Sequence, residues 1–204
     1  MIVDDEFEMN SRFVVKPEIR LLGVDDSFLS GEEVLVVGTI FRGGEWLDGV
    51  VRTTITRDGM NATERLSRMV RETRHYRQLR AILLDGITFA GFNVVDIERL
   101  CHETGLPVIA IMRRVPDFEK IRRALTYLSD GEERWELILL AGRIVRVVTR
   151  EPDRPIHIQF TGLHEEDAVQ IVRLSSTRSS IPEPLRAAHL IATGIACGES
   201  KRRS

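Results

Sequence analysis

The chain is short of cysteine, of lysine and of long apolar runs, and each shortage removes a class of protein. Cys101 and Cys197 are its only cysteines in 204 residues. Two thiols so far apart in sequence build neither a zinc framework nor a disulfide scaffold, and Cys101, set in an apolar helical pattern, reads as core packing. No apolar run approaches the roughly 20 residues of a membrane span. The opening stretch Met1-Ile2-Val3-Asp4-Asp5-Glu6 is acidic and lacks the layout of a signal peptide, so a cytoplasmic location and no membrane partner are expected. There is no internal repeat and no low-complexity segment. His75, His102, His157 and His164 are scattered without metal-ligand spacing.

A net charge of −2 excludes binding to nucleic acid through overall basicity, although a local basic groove remains compatible with it. Of the 29 basic residues only Lys16, Lys120 and Lys201 are lysines. Such an arginine bias suits bidentate phosphate contacts; genomic base composition accounts for it equally well. Arginines recur at 65, 68, 71, 74, 77 and 80, but a three-residue step drifts around a helix of 3.6 residues per turn. A solvated face is therefore the preferred reading.

The 204 residues are enough for one large domain with a core. Residues 1–18 are polar and aperiodic and read as a flexible arm, residues 19–197 as a single domain, and residues 198–204 as a polar tail. Strand-like runs at 20–24, 33–41 and 49–56 are separated by gaps short enough for antiparallel hairpins. The second run is almost continuous in Val, Leu and Ile, which predicts burial on both faces. Ala62, Leu66, Met69, Val70 and Thr73 then fall at helical spacing, with Asn61 placed to cap that helix. A short apolar strand at 80–84, a helix at 94–103 ending at Gly105, and an apolar strand at 106–112 form a β-helix-β order that indicates parallel strands. Phe118, Ile121, Leu125 and Leu128 line a further helix. The stretch 130–155 gives no clear reading beyond a strand at 144–148. A strand at 156–160 and helices at 165–174 and 183–195 complete the chain, the last opened by Pro182 and Pro184. The expected fold is α/β: three antiparallel strands followed by parallel strands, flanked by helices. It resembles the ribonuclease H-like architecture, in which acidic residues of several strands gather metal ions.

Three aspartates each end an apolar run: Asp25 in Gly23-Val24-Asp25-Asp26-Ser27, Asp58 in Thr56-Arg57-Asp58-Gly59, and Asp85 in Leu83-Leu84-Asp85-Gly86. A carboxylate at the end of a buried strand is costly unless a cation or hydrogen bonds satisfy it. Carboxylates converging from several strands suit a hard divalent ion, and Mg²⁺ prefers such oxygen ligands. Metal-assisted phosphoryl chemistry is thus the first expectation. Asp25 and Asp26 are adjacent on a strand and point to opposite faces, so only one of them serves a given site. Asp58-Gly59 is also a common turn pair. Gly86 permits close approach of a substrate or a sharp exit turn. Arg113 and Arg114 follow the apolar strand near the edge where Asp85 lies; a cation there can hold a phosphate, or simply open a loop before Pro116. Trp46, between glycines, can stack on a base or cover one end of the core. Glu183 and Arg186 lie within ion-pair reach on one helix, with His189 beyond them as an anchor of that helix to the body.

These segments resemble the endonuclease V superfamily, and most of all its archaeal endonuclease-V-like branch, some members of which are called endonuclease dU. The likeness covers about residues 20–195. Gly23-Val24-Asp25 is similar to the family's first-strand motif and Arg57-Asp58-Gly59 to its Arg-Glu-Gly. Leu84-Asp85-Gly86 is similar to its Asp-Gly motif, and Pro107-Val108-Ile109-Ala110-Ile111-Met112-Arg113 to the strand leading to a family lysine. Pro182-Glu183-Pro184-Leu185-Arg186-Ala187-Ala188-His189 is similar to its Pro-Glu-Pro-Thr-Arg-Leu-Ala-His helix.

The resemblance implies that Asp25, Asp58 and Asp85 bind Mg²⁺ or Mn²⁺ and act catalytically together with Arg113. It implies that DNA with a damaged base is the partner (RNA being possible), and that one strand is nicked near a deaminated base in DNA repair. Trp46, Gly86, Arg113 and Arg114 are the candidate nucleic-acid contacts. The chain departs from the family in four places. Aspartate stands at 58 for glutamate, and arginine at 113 for lysine. No Gly-His motif appears near Phe160-Thr161-Gly162, and Glu45-Trp46-Leu47-Asp48-Gly49 replaces a Pro-Tyr-Ile-Pro wedge. Uracil is therefore a candidate lesion beside hypoxanthine. The alternative function is a catalytically inactive nucleic-acid-binding module on the same fold, and the chain is read as a monomer or homodimer.

Overall fold

Short apolar runs broken by glycine and polar turns give a mixed seven-stranded sheet. The computed structural model describes residues 13–200. Strands β1 (Arg20–Ser30), β2 (Glu33–Arg42) and β3 (Trp46–Thr56) form the antiparallel meander that the sequence predicts. Every residue of β2 from Val34 to Phe41 is buried, consistent with its continuous apolar character.

Helix α1 (Ala62–Glu72) leads to β4 (Ala81–Leu84), which lies parallel to β1. A small hairpin of β5 (Thr88–Phe89) and β6 (Asn93–Val94) follows, then helix α2 (Ile97–Thr104), closed by Gly105 in the left-handed region. Strand β7 (Val108–Met112) returns parallel to β4, the crossover expected of a β-helix-β unit. Helices α3 (Phe118–Leu125) and α4 (Gly131–Leu140) precede β8 (Val145–Val147) and β9 (Ile156–Thr161). The parallel series ends at β7: β9 runs antiparallel to it, and β8 antiparallel to β9. Helices α5 (Glu165–Ser175) and α6 (Glu183–Cys197) complete the order.

Strand alternation sends side chains to two separate cores. Leu22, Val24, Ile82, Leu84, Val108 and Ala110 face α1, α2 and the α3–α4 pair. Leu21, Ala81, Leu83, Ile109 and Ile111 face α5 and the start of α6. The arginines at 65, 68, 71, 74, 77 and 80 are all exposed, as a solvated face requires. Residues 1–12 of the expected arm, and 201–204 of the expected tail, lie outside the described residues. From Phe13 onward the segment packs on the body through Phe13 and Val15. Among the described residues, no helix is long and apolar enough to cross a membrane.

The cap of α1 differs from expectation. The Asn61 side chain makes no cap bond to α1; it turns back to accept the Thr56 N–H and donate to the Thr56 hydroxyl. The buried Asn93, from β6, accepts the Ala62 N–H instead at 2.9 Å. A tertiary contact thus does the work a local cap was expected to do.

Candidate functional site

In the parallel pairing of β1 and β4, Val24 lies opposite Leu84. The next residues are Asp25 and Asp85, and the Asp85 N–H donates to the Val24 carbonyl at 3.1 Å, so the ladder continues through them. The two aspartates therefore leave neighbouring strand ends side by side, roughly 5 Å apart at the backbone. Asp25 has the parity of Leu21 and Gly23 and faces α6, while Asp26 faces the opposite side, where its Oδ2 accepts the Ala90 N–H at 3.0 Å.

Asp25 is fully buried. Its Oδ1 accepts the Asp26 N–H at 2.9 Å, and its Oδ2 lies 2.8 Å from Nδ1 of His189 on α6. A buried carboxylate needs such partners. Asp85 is nearly buried, and both of its oxygens accept from Nη1 of Arg113, at 3.1 and 3.3 Å. The Arg113 side chain is 40% exposed, so it also presents donors to solvent. Gly86 has φ +85° and turns the chain away directly after Asp85. Arg114 is exposed in the loop after β7.

Helix α6 is seated on β1 at Gly23, where an added Cβ would fall 2.4 Å from the Pro184 carbonyl carbon and 2.5 Å from its Cβ. The Thr39 hydroxyl of β2 donates to the Pro184 carbonyl at 2.6 Å. Glu183, buried, accepts from Arg186 with both oxygens, which holds the Arg186 guanidinium above its ordinary pKa, against the lowering effect of burial. These contacts fix the helix that carries His189. Gly23→Ala is expected to destabilise the protein by about 1–3 kcal/mol through overpacking. Urea unfolding should show a lower midpoint with an unchanged slope.

Two further expected site residues, Trp46 and Asp58, do not stand at these two strand ends. Trp46 begins β3 opposite Arg42, which pairs with Arg20 at the start of β1, whereas Asp25 pairs with Val37. Five residues of strand, roughly 17 Å, separate the two levels, so Trp46 sits at the far end of the sheet from the carboxylate pair. Its turn is also pinned, since the Thr177 hydroxyl donates to the Gly44 carbonyl at 2.9 Å. Asp58 takes a turn conformation with φ +48°. Its N–H donates to the Ala90 carbonyl, and its Oδ1 accepts the Phe92 N–H at 2.8 Å. It is joined to the loop that Asp26 holds. Among the described residues, no three His, Cys, Asp or Glu side chains form a group able to hold a metal ion.

The family model for Endonuclease dU matches residues 17–196. The chain belongs to the endonuclease dU family. A "UPF0215 protein" of Methanosarcina mazei is 60% identical over 196 residues, which is 96% of this chain and 100% of that one. A crystal structure of a protein of unknown function from Archaeoglobus fulgidus aligns with TM-score 0.78 at 39% identity, covering 86% of this chain and 97% of that chain. Endonuclease V of Ciona intestinalis, in complex with a 24mer DNA containing an inosine followed by a ribo-adenosine, aligns with TM-score 0.58 at 13% identity, covering 88% and 86%. That last likeness establishes the endonuclease V-like fold.

In this endonuclease dU chain, the region that would carry a late Gly-His motif is remote from the carboxylates. Thr161 pairs with Val108 at the entry of β7, whereas Arg113 follows its exit. The histidine that does reach Asp25 is His189. The sequence offered two signals for it: its place at the end of the Pro-Glu-Pro helix motif, and its helical spacing after Glu183 and Arg186. Both led to a helix anchor; the structure adds that its anchor point is the candidate site itself.

Proposed function

We propose that this chain is a divalent-metal-dependent endonuclease that nicks DNA beside a deaminated base, uracil or hypoxanthine, as part of DNA repair in the cytoplasm. The observation that carries the reading is the pair Asp25 and Asp85 at the ends of adjacent parallel strands, with Arg113 against Asp85. Membership of the endonuclease dU family supports the reaction class.

The donor set fits a hard cation. Asp25 and Asp85 offer carboxylate oxygens at one strand edge, the ligand type Mg²⁺ and Mn²⁺ favour, and waters can complete the shell of such an ion. Bound there, the ion would supply a water of lowered pKa and neutralise charge on the phosphate. His189 holds Asp25 in one orientation through its Nδ1, which pre-organises that carboxylate before any ligand arrives. Arg113 neutralises Asp85 and keeps part of its planar fork toward solvent, where it can take a phosphate oxygen. Gly86 and Arg114 flank the same edge and are assigned to the DNA backbone.

The test is a panel of duplexes carrying one uracil or one hypoxanthine each, with an unmodified control and a hypoxanthine-containing RNA. Each is incubated with Mg²⁺, Mn²⁺ or EDTA. The expected result is nicking of a modified DNA duplex only, and only with a divalent ion. Retained, salt-sensitive binding without cleavage under either ion would overturn the proposal in favour of a binding module.

A further inference from the structure

We infer that Asp58 is a positioning residue that clamps the loop following Asp85, and not a ligand of the ion. This rests on the nuclease reading, and it assigns to Asp58 a different task from the one its place in the sequence suggests.

Residues 86–92 leave β4 directly after Asp85, so where they lie decides what stands beside the carboxylate pair. The loop is held from several sides. The Ala90 N–H donates to Asp26 Oδ2 at 3.0 Å and the Phe92 N–H to Asp58 Oδ1 at 2.8 Å. The Ala90 carbonyl accepts the Asp58 N–H at 2.9 Å, and the Phe92 carbonyl accepts from the buried Arg134. Asp58 and Ala90, joined by one of these bonds, are the only non-glycine residues with positive φ among the described residues, at 48° and 47°. Two uncommon backbone conformations meeting at a hydrogen bond mark a junction whose shape is enforced by its surroundings.

One oxygen of the Asp58 carboxylate, Oδ1, is engaged in this junction. An added Cβ on Gly91 would fall 2.2 Å from Asp58 Oδ1, so the loop backbone lies directly against that oxygen, while the side chain as a whole stays 37% exposed. Its Oδ2 lies 3.7 Å from Arg57 Nε. The other acid on this loop, Asp26, leaves β1 on the face opposite Asp25. Among the described residues, Asp58 joins no group of three His, Cys, Asp or Glu side chains able to hold a metal ion.

Two substitutions separate the roles. Asp58→Asn keeps an acceptor for the Phe92 N–H and tolerates the left-handed conformation, but it is a poor ligand for a hard ion. Asp58→Gly keeps the backbone freedom and removes the clamp. With Asp58→Asn, nicking of the modified duplex should stay within about threefold of wild type, and Mn²⁺ binding measured by calorimetry should be unchanged. With Asp58→Gly, amide exchange across residues 86–92 should rise about tenfold or more. Nicking should then fall by about ten- to a hundredfold, as a misplaced active-site segment would cause, with Mn²⁺ affinity intact. A tenfold or greater loss of Mn²⁺ affinity in Asp58→Asn would overturn the inference, as would unchanged exchange at residues 86–92 in Asp58→Gly. The exchange measurement needs no cleavage, so a wild-type protein that fails to nick would sink the nuclease reading while still deciding the clamp.

Discussion

Asp85→Ala is expected to reduce nicking of a uracil- or hypoxanthine-containing duplex by at least about a hundredfold to a thousandfold, the loss that follows removal of one preorganised charge-stabilising group. The same variant should keep its far-UV circular dichroism and unfold cooperatively. The asymmetry follows from where the two partners lie. Asp85 is 6% exposed and sits at the strand end beside Asp25, so its loss removes one of two carboxylates at the proposed ion site. The Arg113 side chain is 40% exposed, and water can solvate it once its partner is gone, unlike a buried charge, whose stranding makes broken ion pairs strongly destabilising. Calorimetric titration with Mn²⁺ should show weakened binding in parallel with the lost rate. Full activity in a folded Asp85→Ala protein would remove the site from consideration.

The core of the sheet was legible because its signals are local. Strand alternation and the continuous apolar run at 33–41 fix the meander, and Gly105 ends α2 as a left-handed cap should. The carboxylate pair was legible for the same reason: in a parallel register, two aspartates that each end an apolar strand emerge together. What failed depended on contacts distant in sequence. Helix α4 was missed because Trp135, Leu137, Ile138, Leu139 and Leu140 do not fall on one face; Leu139 and Leu140 remain more than half exposed. The antiparallel direction of β9 is set by the path through α3, α4 and β8, which no short pattern encodes. The glycine-flanked loop leaves Trp46 open between stacking on a base and covering one end of the core; register puts it at the opposite end of the sheet from the carboxylate pair. At Asp58 the backbone takes the turn that the Asp-Gly pair suggests. Nothing in the sequence around 130–134 signals that an arginine there would organise the Asp58 loop.

That arginine carries the largest expected loss of stability. The Arg134 side chain is 3% exposed, and its guanidinium serves several parts of the chain at once. Nε and Nη2 donate to the two oxygens of Asp130 at 2.8 and 2.7 Å. Nη2 also donates to the Asp58 carbonyl at 2.7 Å, and Nη1 to the carbonyls of Gly59, at 2.9 Å, and Phe92. Arg134→Met keeps an unbranched apolar stem in place of the arginine's and removes every donor. Three backbone carbonyls and one carboxylate then lose their partner, at a cost of about 3–5 kcal/mol. For a chain of this size the thermal midpoint should drop by roughly 10 °C.

The pH dependence is distinctive. The hydrogen bond from Arg134 holds the Asp130 carboxyl below its ordinary pKa, outweighing partial burial. A carboxylate whose folded pKa is depressed contributes stability that is present above the unfolded value and is lost as pH falls through the folded one. The gap between wild type and Arg134→Met should therefore be widest near neutrality and narrow at acid pH. A gap constant down to the acid limit would mean that the carbonyl contacts alone carry the effect, and that the charge pair at the base of the Asp58 loop contributes nothing.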